Sequence, residues 1–237
     1  SKRHEYNVQM LETIKNRLKN FPLDRHQPSP QERGSTAAVL VALHGDNSDP
    51  HVILTQRAFH LNNHAGEVAF PGGMWDETDS DLLTTALREA HEEIGLSPSL
   101  VEPIATLPIA SPKRRNLNVT PFVGLVDAPL ELVADPGEIG ALFNAPLKHF
   151  LDVERYEYFE MQTDFGALSF PFLPYNGYNV WGFTLKVLTD MLNATLEANI
   201  HLNYPSHERI EALRQKAKLS ASDTLKQADQ LQKRGQL

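Results

Sequence analysis

The sequence contains no cysteine. That excludes disulfides, a thiol nucleophile and any zinc site built on thiolates. No apolar run approaches the roughly 18 residues that a membrane span needs. No charged and apolar secretory leader opens the sequence. Together these absences predict a cytoplasmic protein without a membrane segment. Cations are scarce: 22 Lys and Arg stand against 30 Asp and Glu, a net charge of −8. This balance argues against general nucleic-acid binding. It does not exclude phosphate substrates, because a bound divalent cation reverses the local field. With 237 residues, 41% of them apolar, the chain can bury a core as one domain with extensions.

What the sequence does have is a concentrated acidic segment. Residues 66–96 read GEVAFPGGMWDETDSDLLTTALREAHEEIGL. The pattern predicts a tight turn at Pro71, Gly72 and Gly73, an acidic loop, and a helix over residues 84–94 ended by Gly95. Glu89, Glu92 and Glu93 have the i, i+3, i+4 spacing that shares one helix face. Three carboxylates so close repel each other unless a cation neutralises them. Hard oxygen ligands suit Mg²⁺ or Mn²⁺, ions that also bind substrate phosphates. A solvated acidic face is the plainer alternative. Glu89 and Glu93 are the expected metal ligands, with Glu92 a third ligand or a base.

Around this segment, residues 5–21 predict an amphipathic helix with Leu11, Ile14, Leu18 and Phe21 on one stripe. Residues 22–35, with three prolines, read as a linker. Strands are expected at 36–43, 52–57, 68–70, 104–108 and 119–126, with a turn at 45–50. A short helix is expected at 146–151, a hairpin at 159–162 and 168–172, and a helix at 180–196. Residues 206–234 read as two polar helices, either a surface tail or a dimerisation or regulatory arm. The alternation predicts an α/β fold with a mixed β-sheet covered by helices on both faces. The expected organisation is an N-terminal helix and linker (1–35), a catalytic domain (36–204) and a C-terminal helical extension (205–237).

The run Arg88-Glu89-Ala90-His91-Glu92-Glu93-Ile94-Gly95-Leu96 resembles the second half of the Nudix box. The first half departs: Ser80 stands where the box has Glu, and Gly73 is one residue further from the helix. Asp76 and Asp79 flank that gap and could replace the missing carboxylate. The PGG, Asp76, Asp79 and TALREAHEEIGL sequence resembles the coenzyme A pyrophosphatase subfamily of Nudix hydrolases. So does the upstream Ile53-Leu54-Thr55-Gln56-Arg57-Ala58, Leu61-Asn62 and Gly66-Glu67-Val68-Ala69-Phe70-Pro71-Gly72-Gly73. There Ala58 and Asn62 replace Ser and Arg. Later segments at 119–124, 135–139, 145–147 and 180–184 extend the likeness across residues 36–192.

The resemblance implies a Nudix-type α/β/α sandwich. It also implies hydrolysis of coenzyme A or its thioesters to 3′,5′-ADP and 4′-phosphopantetheine. Gly73 would bring its backbone to the metal as the box glycine does. Nudix enzymes place the general base variably, so Glu92, Glu138 and Glu67 are candidates. Arg57 and the basic run Lys113-Arg114-Arg115 are candidate phosphate contacts. Phe59, Tyr175, Tyr178 and Trp181 could stack on adenine or lie in the core. His60 and His64 fall within the subfamily motif. The expected partner is a small coenzyme A-like nucleotide, and the C-terminal extension leaves a homodimer open. Two rivals remain: a Nudix pyrophosphatase acting on ADP-ribose or NADH, and a non-catalytic nucleotide-binding Nudix protein.

Overall fold

A computed structural model describes residues 2–62, 66–110, 116–127 and 131–234. Two compact units result, one of Ser1–Tyr156 with Leu173–Ile200 and one of Glu157–Phe172 with His201–Leu237.

The first unit begins with helix α1 (Lys2–Leu18), whose Met10, Ile14 and Leu18 are fully buried. The linker that follows is ordered. Phe21 O accepts from Thr106 N, and His26 O from Leu82 N. Strands β1 (Thr36–Asp46) and β2 (Asp49–Arg57) pair out to Asp46↔Asp49 around a two-residue turn. The expected turn at 45–50 is therefore shorter, because backbone pairing continues through Gly45 at φ 99°.

Strand β3 (Val68–Ala69) pairs with β2. Gly72–Met74 forms strand β4 against β1 rather than a simple turn. The close approach explains the glycine: a Cβ at Gly72 would lie 2.4 Å from Ala38 O. Helix α2 (Leu82–Ile94) starts at the N-cap Asp81, whose carboxylate accepts from Thr84 N at 2.7 Å. It stops at Gly95 in the left-handed conformation, as glycine after a helix predicts.

Strands β5 (Val101–Thr106), β6 (Asn118–Val126) and β7 (Ile139–Pro146) complete the sheet. Its path is β3-β2-β1-β6-β5, with β4 on β1 and β7 on β2. β1 and β6 run parallel and the other pairings are antiparallel, so the sheet is mixed. β5 begins three residues earlier than expected, at Val101. β7 is unheralded in sequence, since Gly140 and the Pro146 end hide its period.

Ala38, Leu40, Ala42, Ile53 and Phe122 on one sheet face pack against Leu82, Leu83, Ala86, Ala90 and Ile94 of α2. Strand alternation turns Val41, Leu43, Val52 and Leu54, all fully buried, to the opposite face. α1 and a further helix lie against each other and cover this unit's second layer.

That further helix is preceded by β8 (Glu157–Thr163), β9 (Gly166–Tyr175) and β10 (Tyr178–Trp181), a sheet in the order β10-β9-β8. Residues 178–181 are strand, and helix α3 (Gly182–Leu196) begins only at Gly182, whose φ is 62°. The expected helix start at 180 is thus corrected by the β-forming Tyr-Asn-Val-Trp run. The expected short helix at 146–151 is a 3-10 turn over Leu147–Leu151.

In the second unit the expected hairpin is present, paired from Glu157↔Phe172 to Thr163↔Gly166. Helix α4 (His207–Arg234) is one continuous helix, not two. No proline or glycine interrupts residues 207–234, so nothing breaks it. Leu168, Phe170 and Leu213 form a small core with Phe159, Phe165 and Ile210 around them.

Candidate metal centre

Glu89 and Glu93 lie one turn apart on α2. Glu138 lies in the turn that leads into β7. Each offers a carboxylate oxygen, and these three oxygens all lie within 4.8 Å of one another. Glu93 is only 4% exposed. Burial, and then the charge of Glu89, push its pKa up to about 8. Burial also raises Glu89, against the lowering effect of Arg88. Both shifts express one fact: negative charge is concentrated where water cannot screen it well. Hard oxygen donors under mutual repulsion fit a divalent cation.

Glu138 is brought in by the helix end itself. Val133 N donates to Ile94 O at 3.0 Å, and Asp135 N to Glu93 O at 2.8 Å. The otherwise unpartnered carbonyls at the end of α2 thus capture the loop between β6 and β7. Within the turn, Asp135 Oδ1 accepts from Gly137 N, and Asp135 O from Glu138 N and Ile139 N.

Gly73 packs directly on the cluster. A Cβ there would lie 2.6 Å from both Cδ and Oε1 of Glu89. No side chain fits without displacing that carboxylate. The neighbouring Gly72 N points to Glu93 Oε2 at 3.4 Å.

Arg88 braces the cluster from its flank, Nη1 donating to Glu89 Oε1 at 3.1 Å. Its Nε and Nη2 clasp Asp79 at 2.7 and 2.9 Å, and Nη2 also donates to Met74 O. Burial pushes Asp79 up, but the bonds from Arg88, Asp76 N and Thr85 outweigh it and leave its pKa lowered. Asp79 therefore anchors the guanidinium, and Asp76 accepts from Thr78. Neither belongs to the three-carboxylate group. Glu92 is also outside it: its exposed carboxylate sits 3.3 Å from Arg88 Nη1. An open cleft of about 460 Å³ flanks Glu89, lined by Met74, Trp75, Asp76, Thr78, Arg88, Glu89 and Glu92.

Arg57 ends β2, and its charge acts on Glu93. Its Nε is buried without a hydrogen-bond partner. Nothing in the sequence pattern signals that proximity, because 36 positions separate the two residues. Glu67 is half-buried beside Arg57, its carbonyl accepting from Arg57 N at 2.9 Å. It is not one of the three clustered carboxylates. Lys113, Arg114, Arg115 and His64 lie outside the described residues. Among the aromatics, Phe59 is 73% exposed. Tyr178 stacks parallel on Phe143 at 4.0 Å, and Tyr175 stacks at 6.2 Å.

Fold and site together define a mixed α/β sandwich that gathers three carboxylates at the end of one helix. The sequence matches the NUDIX domain over residues 34–163. It is 35% identical over 179 residues to the "Uncharacterized Nudix hydrolase NudL" of Salmonella newport, covering 76% of this chain and 93% of that protein. The protein of the same name from Salmonella typhimurium matches to the same extent. The chain belongs to the NUDIX domain family, the family of Nudix hydrolases. Among solved structures it is similar to a MutT/nudix family protein from Enterococcus faecalis, with a TM-score of 0.45 and 16% identity over 83% of this chain and 75% of that one. Among the described residues, no helix is long and apolar enough to cross a membrane.

Proposed function

We propose that this chain is a Mg²⁺- or Mn²⁺-dependent pyrophosphohydrolase that cleaves coenzyme A or its thioesters to 3′,5′-ADP and 4′-phosphopantetheine. The observation that carries the reading is the convergence of Glu89, Glu93 and Glu138 beside Arg57. Glu89 and Glu93 would hold the cation, with Gly73 leaving room for the Glu89 carboxylate. A cation held there would neutralise diphosphate oxygens and make bound water more acidic. The residues do the rest. Arg57, with a guanidinium fork suited to phosphate, orients the diphosphate. A water oxygen attacks one phosphorus, the bridging P–O bond breaks, and the departing phosphate takes the bond's electron pair. The proton lost by that water passes to a carboxylate. Glu138 is the favoured acceptor, being both clustered and exposed: one of its oxygens would complete the cation site and the other would take the proton. Glu92, tied to Arg88, and Glu67 are the other two candidates.

The narrower choice of coenzyme A rests on likeness to the subfamily's motifs. Asn62, exposed in the loop after β2, replaces an Arg of that pattern and favours the alternative of ADP-ribose or NADH. A non-catalytic binding role is disfavoured by the cost of keeping Glu93 buried beside Glu89. The test is chromatography of products after incubation with either metal and, separately, coenzyme A, acetyl-coenzyme A, ADP-ribose and NADH. Release of 3′,5′-ADP from coenzyme A supports the proposal. Cleavage of ADP-ribose or NADH alone transfers it to the alternative.

A further inference from the structure

The third carboxylate of the cluster has no helix to hold it. Glu138 is exposed, and the conformation of the 135–138 turn decides where its oxygens sit. α2 grips the start of this turn through Asp135 N and Glu93 O. Its far end is gripped by the loop that follows β2. Ala58 N donates to Glu138 O at 2.9 Å. His60 Nε2 lies 3.0 Å from Gly137 O, across 77 positions of sequence. A carbonyl oxygen only accepts, so Nε2 carries the hydrogen and donates it. The ring thus binds the backbone of the residue directly before Glu138.

We propose that His60 is a positioning residue for the cation site. Its bond to Gly137 fixes the turn so that Glu138 is already placed against Glu89 and Glu93 before a cation arrives. This rests on reading those three carboxylates as a cation site. Ala58 N gives the turn a backbone bond that any residue at 58 except proline supplies. His60 gives the bond that a side chain controls. Because His60 is exposed, its loss leaves no cavity. Losing it frees the turn to sample other conformations, and a cation must then order Glu138 as it binds.

Titration with Mn²⁺ alone, followed by calorimetry or electron paramagnetic resonance on the full chain, tests this. The proteins compared are wild type, His60→Ala and His60→Gln. Glutamine keeps an N–H donor near the Nε2 position. His60→Ala is expected to weaken Mn²⁺ binding about twofold to twelvefold, the range for one net hydrogen bond. His60→Gln is expected to restore it. Without metal all three proteins should remain folded, with His60→Ala melting no more than a few degrees below wild type, as the loss of about one net hydrogen bond implies. An Ala variant that binds Mn²⁺ as wild type does would overturn the proposal. So would a Gln variant as weak as Ala. Wild type that binds no Mn²⁺ would overturn the cation-site reading itself.

Discussion

Replacing Glu93 by Gln separates the electrostatic account of the site from a merely structural one. The substitution keeps size and the acceptor facing Gly72 N, and removes the charge. Folding buries Glu93 and raises its pKa from the ordinary 4.5 to about 8. The folded state then holds a proton that the unfolded chain has released, so stability falls as pH rises from 4.5 to about 8. Below that window the group is protonated in both states, and above it ionised in both. Between pH 6 and pH 8 the loss from this group is about 2 kcal/mol, at about 1.4 kcal/mol per pH unit in the steep part. For a chain of this size that is roughly 4–8 °C of melting midpoint. The assay is thermal unfolding in a chelator at pH 6 and pH 8. Wild type should lose several degrees more than Glu93→Gln, and the variant should be the more stable at pH 8. Mg²⁺ should restore wild type more at pH 8 than at pH 6 and leave the variant nearly unchanged. Parallel losses in the two proteins would refute the reasoning.

Other substitutions give separable outcomes. Gly73→Ala places a methyl group against the Glu89 carboxylate; turnover and Mn²⁺ affinity should fall at least tenfold with little change in melting, as checked by kinetics and calorimetry. Arg57→Ala should raise KM more than it lowers kcat, because it removes a phosphate contact, and steady-state kinetics at saturating metal reads this. Asp79→Ala strips the buried partner from Arg88, which keeps its bonds to Glu89, Glu92 and Met74 O. It should cost about 2 kcal/mol in urea unfolding, the range for hydrogen bonds to a charged group. The lowered pKa of Asp79 adds stability above its ordinary value of 3.8, lost as pH falls through and below that value. The Ala variant should therefore show a shallower acid transition.

The acidic helix is legible because its signals are local. Asp81 caps it, Gly95 ends it, and the Glu89–Glu93 spacing sets two carboxylates on one face. β7 and β4 are not legible in the same way. They exist because β2 and β1 offer paired edges, and Gly140 or Gly72-Gly73 carry no side chain to report a period. α4 shows the reverse case. Its thin apolar stripe changes register near Ser220, yet without a breaking residue the backbone stays helical. At the site, the family likeness points to Glu138, but only the fold reveals why it arrives: the end of α2 captures its loop. The task of Asp79 is also tertiary, since its carboxylate reads in sequence like a ligand and is instead spent on Arg88. The nearness of Arg57 to Glu93 depends on where β2 ends against β7.

The central claim is that Glu89, Glu93 and Glu138 form one divalent-cation site. Anomalous scattering from crystals soaked in Mn²⁺ tests it most directly. The account predicts a peak bounded by these three carboxylates and absent in Glu93→Gln. A peak bound instead at Glu92 or Asp76, or one that persists unchanged in the variant, would contradict it.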